Sequence, residues 1–124
     1  MMRCRHIVEL KEGVKVELLF TPSMYAVARR RGLRIEVEDP SDRAAVMIAY
    51  TELMYVAALN AHEVKLYDDP GLGEFPYRLI DFVEWSAVRQ DEFTETLDVA
   101  LRCILGRGLK ELEKETPKES VKKK

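Results

Sequence analysis

Between Arg5 and Thr21 polarity alternates with a period of two, and beyond Thr21 the apolar residues recur at helical spacing instead. That switch restricts the chain to a sheet element followed by helices, an α+β arrangement. His6, Val8 and Leu10 alternate with Ile7, Glu9 and Lys11, and Val14, Val16, Leu18 and Phe20 alternate with Lys15, Glu17, Leu19 and Thr21. Two registers compete. A Lys11-Glu12-Gly13 loop sets Leu10 opposite Val14 and Val8 opposite Val16, gathering the apolar residues on one face. A tighter Glu12-Gly13 turn pairs Lys11 with Val14 and Leu10 with Lys15. The longer loop is preferred, with Gly13 in the left-handed conformation that a type I turn plus bulge requires.

Thr21-Pro22 reads as a helix start, threonine as N-cap and proline in the first helical position. Gly32 ends that helix, and Arg29-Arg30-Arg31 complement the dipole in its last turn. Leu33, Ile35 and Val37 alternate with Arg34 and Glu36, which predicts a third short strand or an extended link. Asp39-Pro40 repeats the cap-plus-proline start, with Asp42 in the first turn. The helix that follows, about Ser41 to Val64, is apolar nearly all round and is expected to be buried on more than one side. Tyr67 to Glu74 is a predicted loop. A third helix begins after Pro76, and a break at Arg89-Gln90-Asp91 precedes a fourth, capped by Asp91, whose stripe is Phe93, Leu97, Ala100, Leu101, Ile104 and Leu105. The expected layout is one domain over residues 1–109, a hairpin packed on about four helices, and a disordered charged tail over 110–124.

A chain of 124 residues buries enough surface to fold without metal or disulfide. Its 20 Lys and Arg against 22 Asp and Glu give a net charge of −2, which argues against bulk electrostatic capture of nucleic acid. Cys4 and Cys103, at opposite ends, are expected to be idle thiols in a reducing cytosol. The longest apolar run, Ala44 to Tyr50, is too short for a bilayer, so no membrane segment is expected and the location is intracellular.

Each test for chemistry lacks a partner. Cys4, His6, His62 and Glu63 form no recognised zinc spacing. Asp68, Asp69 and Glu74 lack the alternating oxygen ligands of a calcium loop. Gly71-Leu72-Gly73 is too short to cradle a phosphate. Asp81 and Glu84, followed by Asp91, Glu92 and Glu95, read as a solvated acidic face. Ser23, Ser41, Ser86 and Ser120 occupy no nucleophile elbow. No catalytic, metal-binding or cofactor-binding residue is therefore assigned. Arg29-Arg30-Arg31 and Lys122-Lys123-Lys124 leave open an alternative, a small nucleic-acid-binding regulatory protein using basic patches.

The remaining signal is apolar surplus. Met24, Tyr25, Tyr50, Met54, Tyr55, Phe82 and Trp85 are the candidates for partner binding, because thioether and aromatic surfaces serve adaptable protein grooves as well as cores. Val14, Val16 and Leu18 are the candidates for contact along an exposed strand edge.

Three stretches carry a resemblance. They are Val8-Glu9-Leu10-Lys11-Glu12-Gly13-Val14-Lys15-Val16-Glu17-Leu18-Leu19-Phe20-Thr21-Pro22, the helix Ala49-Tyr50-Thr51-Glu52-Leu53-Met54-Tyr55-Val56-Ala57-Ala58-Leu59, and Leu79-Ile80-Asp81-Phe82-Val83-Glu84-Trp85. In this order, over most of residues 6 to 109, they resemble the tail assembly chaperones of long-tailed bacteriophages. The resemblance rests on patterns, not on fixed residues. It implies a non-catalytic protein of the infected host cell's cytoplasm that takes no cofactor. Such a protein coats the apolar tape-measure protein, recruits tail-tube subunits and self-associates into homo-oligomers. Members commonly carry a ribosomal frameshift near the gene's end. The purine-only codons of Lys122-Lys123-Lys124 suit a slippery site, and suit a plain basic tail equally.

Overall fold

The alternating stretch folds as an antiparallel hairpin, β1 (Arg5–Lys11) and β2 (Val14–Leu19), in the computed structural model, which describes residues 4–33 and 39–105. The preferred register holds along the strands but not at the turn, where the loop is the tighter Glu12-Gly13 and Val14 faces Lys11 instead of Leu10. Val8 opposes Val16 as the apolar face demands, yet Lys11 opposes Val14 at the turn, and an irregularity between Glu9 and Lys11 reconciles the two. A bulge of this kind inserts one residue without turning the face over. Leu10 thereby stays in the core beside Val8, Val16 and Leu18. Gly13 adopts φ 78°, the left-handed conformation expected of it, and its N–H donates to Glu9 Oε2 at 3.1 Å.

The first helix, α1 (Ser23–Arg30), begins one residue later than expected, with Pro22 at its N-cap position and no side-chain cap. Thr21 does not cap it because its hydroxyl is engaged elsewhere. Thr21 Oγ1 accepts from Asn60 Nδ2 at 3.0 Å and lies 2.8 Å from Ser23 Oγ. The buried Asn60 amide also donates to the Leu19 carbonyl at 2.9 Å and accepts from Ser23 Oγ at 2.8 Å, so one side chain ties β2, the turn and α1 together. At the other end Gly32, at φ 70°, lets Leu33 N–H reach back to the Ala28 carbonyl at 2.9 Å, the six-residue closure of a Schellman motif.

The central helix, α2 (Arg43–Asp68), is one turn longer than expected at its C-terminus; Pro70 is the first residue unable to continue it, and Pro70–Leu72 form a 3-10 turn. Asp42 is its N-cap, accepting from Ala45 N–H at 3.1 Å. Asp39 instead closes a local turn, accepting from Ser41 N–H (3.0 Å) and Ser41 Oγ (2.6 Å), and these bonds hold its carboxyl below the ordinary value. By length and composition α2 alone among the described residues is able to cross a membrane. Here its middle lies buried against β2, α1 and a third helix, the double-sided burial its sequence predicts.

That third helix is α3 (Leu79–Val88), and α4 (Gln90–Leu105) follows after a single residue, Arg89. The break falls where expected, although α4 starts at Gln90 and not after an Asp91 cap; Phe93 N–H bonds to the Arg89 carbonyl at 2.9 Å. Phe93, Leu97, Ala100 and Leu101 are buried along one stripe of α4, as the spacing predicts. The hairpin, α1, α2, α3 and α4 enclose one core that includes Leu18, Phe20, Met24, Met54, Phe82 and Trp85. Buried hydroxyls are satisfied inside their own helices, Thr51 Oγ1 donating to the Met47 carbonyl and Thr96 Oγ1 to that of Glu92.

The expectation of idle thiols is overturned. Cys4, just before β1, and Cys103, near the end of α4, are joined as a disulfide with their Cα atoms 5.7 Å apart, within the range such a bond spans. Their separation of 99 residues conceals the contact in the sequence; the packing of α4 on β1 creates it. Among the described residues the sheet has two strands, and Leu33 closes α1. The remainder of the expected third strand and the charged tail lie outside the described residues.

Candidate interaction surface

The helix α3 is built to be held firmly. Asp81, expected on a solvated acidic face, is largely buried and accepts from Arg78 N–H at 2.8 Å, closing the helix start. Lys11 Nζ of the hairpin lies 3.0 Å from its other oxygen. The backbone hydrogen bond first, and Lys11 second, hold the Asp81 carboxyl below its ordinary 3.8. One turn on, Trp85 Nε1–H donates to Glu92 Oε1 at 2.6 Å, while Glu92 Oε2 accepts from the Glu9 backbone N–H at 3.1 Å. Glu9 completes the latch, its carboxylate 3.3 Å from Arg89. Hairpin, α3 and α4 are thus joined by a connected polar path over an aromatic one: Tyr55, Phe82, Trp85 and Phe93 follow one another with ring centroids 5.6, 6.4 and 5.7 Å apart.

The opposite side of the same helix is unlike this. Ile80 is 48% exposed and Val83 37%, and Ala87 is exposed on the same stripe, at i, i+3 and i+7. Val88 adds an apolar end at 81% exposure. An apolar stripe outside and an aromatic face inside give α3 two surfaces that avoid water, of which the fold covers one.

The residues proposed from sequence distribute unevenly. Met24, Met54, Phe82 and Trp85 are fully buried, so their apolar surface is engaged within the fold and they are not partner-facing in it. Tyr50 and Tyr55 are half-buried against the core, and Tyr55 packs edge-on to Phe82. Tyr25 alone of the seven remains half open, at 50%. Val16 and Leu18 are buried and Val14 half-buried, so a partner at the strand edge meets backbone and not these side chains. Even the backbone is partly taken. The Phe20 N–H to Cys4 carbonyl bond fixes which groups point outward, and two of those are capped: Glu9 N–H by Glu92 and the Leu19 carbonyl by Asn60.

Residue type misled where helical position informs. Aromatics and methionines have the volume a small core needs, so they were drawn inward. Most of the open apolar residues are aliphatic, among them Ile80, Val83 and Val88 on α3, Ile7 on the hairpin and Ile48 beside Met47 at the start of α2, with Tyr25 and Tyr67 the open aromatics. On α3 the signal was present, since 79, 80, 82, 83, 85, 87 and 88 are all apolar and one helical face cannot hold them all.

A cleft of about 770 Å³ opens beside α1 and the end of α2, lined in part by Arg30, Arg31, His62, Tyr67 and Phe75. Its groups are largely committed. Arg30 pairs with Glu63, and His62 Nε2 is 2.8 Å from the Gly73 carbonyl. Among the described residues its lining holds no serine, cysteine or aspartate. The Glu52 carboxyl, pushed up by burial, is not among the cleft's residues. Among the described residues no three His, Cys, Asp or Glu side chains gather as metal ligands. The Arg30–Glu63 pair also neutralises the middle of the arginine run that a nucleic-acid reading relies on. In comparison with known proteins, the chain matches no family model, no curated protein and no solved structure.

Proposed function

We propose that this chain is a non-catalytic scaffold of the tail-assembly-chaperone kind, binding apolar helical segments of a tape-measure protein and tail-tube subunits, and copies of itself, in the host cell's cytoplasm. The observation that carries the reading is the open stripe Ile80–Val83–Ala87 on a helix whose inner face and N-terminus are firmly held. A rigid helix with an uncovered apolar stripe is what a helix-in-groove or helix-pair contact uses. Ligand chemistry has no comparable support, because in the cleft beside α1 Arg30 is engaged with Glu63 and His62 with the Gly73 carbonyl.

The element order agrees with this reading: a short hairpin, a helix that follows Thr21-Pro22, and a long apolar α2. Co-expression of the chain with a large apolar coiled-coil protein of the tape-measure kind is the test, read by co-purification and light scattering. A soluble complex, formed only when this chain is present, is the expected result. A chain that stays monomeric at high concentration and leaves that protein insoluble overturns the reading.

A further inference from the structure

We propose that Cys4 and Cys103 form a reversible redox clasp that fastens the last turns of α4 to the start of the hairpin. Three features of the structure carry this. The Cα atoms are 5.7 Å apart, so the bond closes or opens without moving either backbone. Both cysteines are half-buried and not sealed in the core, the partial access that exchange with a small thiol needs. The position of the clasp is also telling. Ala100 and Leu101 are buried, but in the next turn Arg102 is exposed and Cys103 and Ile104 only half-buried. The covalent bond thus falls where non-covalent burial tapers off. Its other end is anchored, because the Cys4 carbonyl accepts from Phe20 N–H at 2.7 Å.

The chemistry is thiol–disulfide exchange with a small-molecule disulfide such as oxidised glutathione. One cysteine thiolate attacks the glutathione disulfide and releases the first glutathione thiolate, leaving a mixed disulfide on the protein. The second cysteine thiolate attacks the protein-bound sulfur of that mixed disulfide and releases the second glutathione. The protein gives up two electrons and two protons, and one glutathione disulfide becomes two glutathione thiols. In the reverse direction excess thiol opens the clasp. Cys4 and Cys103 pack against the rim of the core without being among its buried residues, so the reduced chain keeps its fold and loses only the tether on α4.

The test uses the full chain equilibrated in reduced or oxidised glutathione. Expected on oxidation are an intact mass lower by two hydrogens, no free thiol, an unchanged monomer mass on denaturing gels, and a thermal midpoint higher by on the order of 10 °C, as closing a 99-residue loop implies. Amide exchange in residues 99–105 slows, while that of α2 hardly changes. Cys103→Ser, whose thiol lies outside the aromatic core, removes every response. Glutathione retained on the protein, cross-linked dimers, or equal midpoints in the two buffers would each overturn the clasp. If the reduced chain fails to fold, the bond is a permanent staple and the proposal of reversibility fails.

Discussion

The inner and outer faces of α3 are made of similar residues and have opposite fates. Phe82 and Trp85 are wholly enclosed, with the indole N–H bonded to Glu92, whereas Ile80, Val83 and Ala87 remain open on the other side. Hydrophobicity does not separate the two sets; volume and position do. A domain of this size fills its centre with its largest side chains, and aliphatic residues left over on the far face have no second layer of the fold to cover them. The difference shows how one short helix serves as both core wall and candidate contact surface.

Removing the anchor of the inner face is the most damaging way to break that contrast. Trp85→Ala leaves a cavity and deprives Glu92 of its indole donor, for a destabilisation of about 3–5 kcal/mol. Urea unfolding measures it, and a loss under about 1 kcal/mol would mean that the aromatic row does not form the core. Next in size is Asn60→Ala, on the seam where α2 meets the turn between β2 and α1. The Leu19 carbonyl loses its buried donor, and Thr21 and Ser23 lose their shared partner, for about 2 kcal/mol. Its effect adds to that of Trp85→Ala if the two seams are independent, and a double-mutant cycle reads this directly.

Much of this contrast was legible in the sequence, and the illegible parts share a cause. Period-two alternation locates the hairpin, Gly13 and Gly32 mark two of the three positive-φ glycines among the described residues, and the all-round apolar pattern of α2 predicts its burial. Those are local properties of consecutive residues. The Asn60 network, the Glu92 latch and the Cys4–Cys103 bond join residues 37 to 99 positions apart, and no local pattern reports such pairs. Thr21 and Asp81 were misread for the same reason. Thr21 is taken up by the distant Asn60, and Asp81, held first by the nearby Arg78 N–H, is drawn inward by the distant Lys11.

Asp81 sharpens the comparison through pH. Its carboxyl titrates below 3.8 in the fold, held there by Arg78 N–H and then by Lys11. A depressed folded value means that the ionised group stabilises the fold fully above 3.8, and that this contribution fades as pH falls through the lowered value. Asp81→Asn is therefore expected to cost about 1 kcal/mol at neutral pH. It also flattens the stability profile below about pH 4, where the two proteins converge. Parallel profiles down to pH 2 in chemical-denaturation titrations would show that Asp81 is not the acid-sensitive contact at the start of α3.

The smallest change in stability is expected on the outer face, and there it is the most informative. Ile80→Glu combined with Ala87→Lys places an acid in the first turn of α3 and a base in the last, which suits the helix dipole while removing the apolar stripe. Both positions are exposed, so unfolding of the monomer should shift by less than about 0.5 kcal/mol. Self-association and capture of an apolar helical client, in contrast, should fall at least tenfold, because a charged pair would have to be desolvated at the centre of the contact. Sedimentation velocity across a concentration series separates the two effects in one experiment. Unchanged association with unchanged stability would remove α3 from the interface and turn attention to Ile7 on the hairpin. A large loss of stability would instead mean that the outer stripe is part of the core, and the two faces of α3 would no longer differ in kind.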